Sequence, residues 1–193
     1  LSTTIHQPGT RRPLASSYSR LLQPALLLAV LVILAGLKAG MSLLGVAAIL
    51  AGIVGVPALL YKGSKGLFRR WGLPDRARII LLAVLTLAST IACFVLPLPA
   101  PVPLTVAAMF LGNASLAIFR RWLNVSAHVS VVTFTALWVT AMFGGVWAWL
   151  LISSPLMMVS RVQLREHTWP EALSGAALGV ATFCCFLAAT TWS

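Results

Sequence analysis

Between Ser160 and Glu171 the chain reads SRVQLREHTWPE. Two of the three acidic residues of the protein, Glu166 and Glu171, fall here, together with His167, Arg161 and Arg165. Histidine can take or give a proton near neutral pH, and arginine grips oxyanions through a planar fork. The segments on either side are apolar, and the whole chain is 60% hydrophobic and only 9% charged. Ionisable groups set between membrane-type segments are costly, so a dense cluster of them marks a candidate site. A second polar group, Ser126-Ala127-His128, lies upstream.

The spacing in the first stretch is Ser-Arg, five residues, His, three residues, acid. It resembles the third motif of the type 2 phosphatidic acid phosphatase superfamily, SRxxxxxHxxxD. Ser160, Arg161 and His167 match, and Glu171 stands where the family has Asp. Val125-Ser126-Ala127-His128 is similar to the family's PSGH motif, with Val for Pro and Ala for Gly. The first motif, KxxxxxxRP, is not intact. Lys62 and Arg69 have its separation, but Arg70 follows where Pro belongs; Asp75-Arg76-Ala77-Arg78 resembles the degenerate first motif of divergent members.

The resemblance implies an integral membrane phosphatase acting on lipid phosphates or diphosphates. It also implies the roles. His167 is the expected nucleophile, passing through a phosphohistidine. Glu171 orients the His167 ring, and His128 protonates the leaving alkoxide. Arg161 and Ser126 hold phosphate oxygens, joined by Arg76 and Arg78 or by Lys62 and Arg69. No metal and no cofactor is expected, and three histidines with three acids would hardly build a metal centre.

Each residue also has a plainer reading. Glu171 follows Thr168 by three residues with Pro170 between them, which is a capping box opening a helix. His128 and His167 taken singly read as hydrogen-bonded core histidines. Arg161, Arg165, Arg120 and Arg121 read as positive-inside anchors. Two other functions therefore stay open. One is a family-like protein that binds lipid phosphate without turning it over; the degraded first motif, Ala127 and Glu171 favour it. The other is a small membrane transport or assembly factor. That would need polar faces along the spans, and these spans carry little beyond Ser, Thr and Asn113.

The elements that must position these groups are membrane helices. Composition of this kind excludes a soluble globular domain. The formal charge of +11 points to anionic lipid headgroups as partner rather than nucleic acid. Cys93, Cys184 and Cys185 lie in apolar runs and read as small buried hydrophobes, without a disulfide. Residues 1–20 form an expected disordered basic tail; residues 21–193 form the helical, membrane-embedded domain.

The expected fold class is all-α, a polytopic bundle of six to seven spans. The apolar segments are 21–37, 41–60, 79–96, 104–119, 126–143, 146–159 and 170–190. Pro57 predicts a kink, Pro97 to Pro103 a turn, and residues 61–78 a polar loop. Two spans separate that loop from Ser126-His128, and two more lead to Arg161-His167. Even crossings return all three to one face. Thirteen of the fourteen basic residues fall on that face, leaving Lys38 opposite. The positive-inside rule then places the N-terminus and the site in the cytoplasm, in a chain expected at the plasma membrane.

Overall fold

Gly40, the proline-rich run 97–103 and Gly144 mark three of the breaks between helices. The computed structural model describes residues 24–72, 75–119 and 122–192, and these are all-α. Helix α1 is Pro24–Lys38 and ends at Gly40, whose φ of 71° suits only a residue without a Cβ. Helix α2 is Leu43–Arg70, N-capped by Ser42, whose hydroxyl accepts from the Gly45 N–H at 3.2 Å. Helix α3 is Asp75–Val95, and helix α4 is Val102–Phe119 after the proline turn. Helix α5 is Ala127–Phe143. Gly144, at φ 99°, breaks it from helix α6, Gly145–Gln163, which opens as a 3-10 turn. Helix α7 is Trp169–Thr191.

The expected polar loop at 61–78 is corrected: α2 stays helical through Arg70. Proline is absent from Tyr61 to Arg70, so nothing there breaks the backbone ladder. Pro57, Tyr61, Ser64 and Phe68 are the less exposed positions and recur at helical spacing, and this part of α2 packs on α3. That burial offsets the roughly 1 kcal/mol that each of Gly63 and Gly66 costs a helix. The expected disturbance at Pro57 takes the form of a π-helical turn, Ala51–Gly55, just before the proline.

Four helices are long and apolar enough to cross a membrane: α2, α4, α6 and α7. Shorter apolar helices, Pro24–Lys38, Ala83–Val95 and Ala127–Phe143, accompany them. The outer surface is rich in exposed Leu, Val, Ile and Phe, which suits lipid and marks a membrane protein. Of the cysteines, Cys93 is buried as expected, whereas Cys184 and Cys185 are exposed on the outside of α7. The seven tryptophans divide by depth. Trp138 is fully buried in the core, and its Nε1–H donates to the Thr105 hydroxyl at 3.1 Å. Trp71, Trp122 and Trp169 are exposed at one end of the bundle, and Trp147, Trp149 and Trp192 at the other. Two such belts are what a bilayer's two interfaces select.

Helix α5 is the most enclosed element, packed against α1, α6 and α7. It runs antiparallel to α6: the Thr133 and Ser154 hydroxyls share a 2.6 Å hydrogen bond, and Thr140 Oγ1 donates to the Trp147 carbonyl at 3.4 Å. It runs parallel to α7, where Gly175 meets Ser126 and Gly179 meets Ser130. Small residues let two backbones close to this distance. A Cβ on Gly179 would stand 2.5 Å from the Ser130 carbonyl oxygen and 2.8 Å from the Thr133 Cβ. Gly179→Ala is therefore expected to destabilise the bundle by about 1–3 kcal/mol. Gly66→Ala, which meets open space, should be neutral or slightly stabilising. Thermal unfolding of both variants in detergent checks the contrast.

Candidate functional site at one end of the bundle

The register of α5 against α6 decides what meets at their ends. Residue pairs 133–154 and 140–147 are in contact, so the same pairing carried to the end sets residues 126–128 beside residues 159–161. Ser126 is the N-cap residue of α5 and completely buried. Its N–H donates to the Glu171 carbonyl at 3.3 Å, which ties the start of α5 to the start of α7. Its hydroxyl is buried without a hydrogen-bond partner. Below these residues a small apolar cluster, Val129, Val132, Met157 and Ala172, holds the three helix ends together.

Arg161 lies in the last turn of α6 and is only 5% exposed. The helix ends in a Schellman motif. The Glu166 N–H donates to the Arg161 carbonyl and the Arg165 N–H to that of Val162, with Arg165 at φ 57°. This motif brings the side chains at its two ends together. Here they are charged: Arg161 Nη1 donates to Glu166 Oε2. Arg161 Nε stays buried and without a partner.

His167 follows in the turn, with Nδ1 3.4 Å from Glu171 Oε2. This approach is a charge contact rather than a hydrogen bond. The same carboxylate oxygen accepts the Thr168 N–H at 2.8 Å, completing the capping box at the start of α7. The helix-cap reading and the histidine-orienting reading of Glu171 thus involve one oxygen atom. With Nδ1 turned to the carboxylate, Nε2 is the ring nitrogen left for other chemistry. His128, in the first turn of α5, is half-buried and lies near both Arg161 and His167. Arg161 is the fixed cation of the group, and its buried Nε is a donor still open to an acceptor.

Ser126, His128, Arg161, His167 and Glu171 are therefore brought together. Lys62 and Arg69 are not: both are exposed on the end of α2, and neither makes a hydrogen bond or ion pair to a described residue. Arg76 and Arg78 belong to the first turn of α3, and their side chains lie outside what the structure describes, as do residues 1–23, Arg120 and Arg121. Glu166 is the residue that sequence reasoning missed as a partner of Arg161. The spacing of five is not a helical pair, and an arginine in the left-handed conformation of a Schellman turn gives no glycine to read. A separate cavity of about 20 Å³ lies deeper, lined in part by Asn113, Ser130 and Thr182. That is room for about one water. No family model, curated protein or solved structure matches this chain.

Proposed function

We propose that the protein is a metal-independent phosphatase of membrane lipid phosphates or diphosphates, working through a phosphohistidine on His167. The observation that carries this reading is a set of buried polar atoms with no partner, Ser126 Oγ and Arg161 Nε, beside His128 and His167. A buried donor left unsatisfied costs about 1–3 kcal/mol. A phosphate group supplies the acceptor that a buried hydroxyl or guanidinium lacks, and Arg161 suits it by shape as well as charge.

In the proposed reaction His167 Nε2 attacks phosphorus and the bond to the lipid oxygen breaks. The negative charge of the bound phosphate favours the protonated form of His128, which gives its proton to that oxygen, so the leaving group departs as an alcohol, or as a monophosphate from a diphosphate. Water, losing a proton to His128, then attacks phosphorus and the P–N bond breaks, so inorganic phosphate leaves with His167 restored. Glu171 holds the ring and balances its charge in both steps. The apolar surface and the tryptophan belts favour a lipid substrate, whose phosphate lies at the depth of the helix ends. The basic excess at this end favours the cytoplasmic side for the site.

Phosphate release from a panel of lipid phosphates in the presence of a chelator tests the reading. Release from at least one lipid, undiminished by the chelator, is expected. Release that requires a divalent metal would contradict it. Glu166 favours a second reading, a lipid-phosphate binder without turnover, because its carboxylate already pairs with Arg161. Tight lipid binding with no release from any of the panel would select that one.

A further inference from the structure

The basic end of α2 is the strongest charged feature that the site does not use. Helix α2 has 28 residues, about 42 Å at 1.5 Å per residue, against a hydrocarbon core of about 30 Å. Its apolar part, residues 43–60, spans about 27 Å by the same rise. The remaining turns, Tyr61 to Arg70, must therefore project into the headgroup layer. They carry Lys62, Lys65, Arg69 and Arg70 and no acid. Lys62 and Arg69 are seven residues apart and share a face, and they and Arg70 are exposed. Gly63 and Gly66 have open space where a Cβ would stand, so the helix surface between these cations is bare. Exposed Trp71 closes the segment at the interface.

We infer that this segment is a docking surface for anionic phospholipid headgroups in the leaflet at the site's end of the bundle. Several unopposed cations at headgroup depth, on a helix with no carboxylate of its own, are complementary to a phosphodiester surface. Bare glycine faces let headgroup phosphates approach the backbone, and the tryptophan fixes the depth. The helical course of residues 61–70 is what creates the surface, since it aligns Lys62 with Arg69. The inference does not depend on catalysis at His167.

The test uses the whole protein in mixed micelles containing phosphatidylglycerol or phosphatidylcholine, with retained lipid read by native mass spectrometry. Wild type should prefer phosphatidylglycerol, and the preference should weaken as salt rises. The triple variant Lys62→Gln, Arg69→Gln, Arg70→Gln should weaken phosphatidylglycerol binding, by about fivefold for each cation removed. The charge-keeping variant Lys62→Arg, Arg69→Lys, Arg70→Lys should hold it, which separates charge from any disturbance of the helix. Equal retention of the two lipids by wild type, or an undiminished preference in the Gln variant, would overturn the inference.

Discussion

His167→Ala is expected to bring phosphate release down to the uncatalysed background while the protein stays folded. The side chain lies in the turn between α6 and α7, outside the helices, and its Nδ1 makes a 3.4 Å approach to Glu171 rather than a hydrogen bond, so the helices should keep their packing without it. The proposed reaction loses its nucleophile, and removing a nucleophile from a catalytic unit costs on the order of 10⁶ in kcat in a well-studied hydrolase. Rates from wild type and variant, at matched folded protein by thermal unfolding, provide the check. Activity in the variant within tenfold of wild type would remove His167 from the reaction.

Glu171→Gln is expected to lower kcat by about 10²–10⁴, the range seen when a histidine loses its orienting carboxylate to an amide. Gln also serves in a capping box, so α7 should start as before and the folded fraction should hardly change. That separates the two duties of the shared oxygen. The cap needs an acceptor for the Thr168 N–H, while in the proposed reaction the ring of His167 needs a negative charge. A variant with near-normal turnover would leave Glu171 a helix cap and nothing more. Glu171→Asp restores the acid of the resembled motif but shortens the reach. Oε2 already stands 3.4 Å from Nδ1, so Asp is expected to fall between wild type and Gln, with the loss in kcat rather than KM.

How much of this was legible beforehand differs by element. Apolar runs near the length of a bilayer announced an all-α chain, and the seven segments correspond to the seven helices described. That Ser126, His128 and Arg161 reach the same end followed from counting crossings, because an even number of helices brings the chain back; the same count carried Lys62 and Arg69 to that end without bringing them into the site. The capping role of Glu171 was written in Thr168-x-x-Glu171. The end of α2 was not legible: two glycines and four cations within Lys62 to Arg70 look like a loop, and only packing on α3 makes them a helix. The Arg161–Glu166 pair was hidden for a different reason. It depends on Arg165 taking a left-handed conformation that arginine disfavours by roughly 1–2 kcal/mol. The sharing of one oxygen between Thr168 and His167 is a matter of angstroms that no spacing encodes.

The most direct test of the central claim is chemical capture of the intermediate. Wild-type protein turning over a lipid phosphate labelled at phosphorus is quenched in alkali, and peptides are mapped for the label. The account predicts phosphate on His167, stable to base and lost in acid, present in chelator and absent from the His167→Ala variant. Label on another residue, or turnover of the same lipid with no phosphorylated histidine trapped under rapid quench, would contradict it.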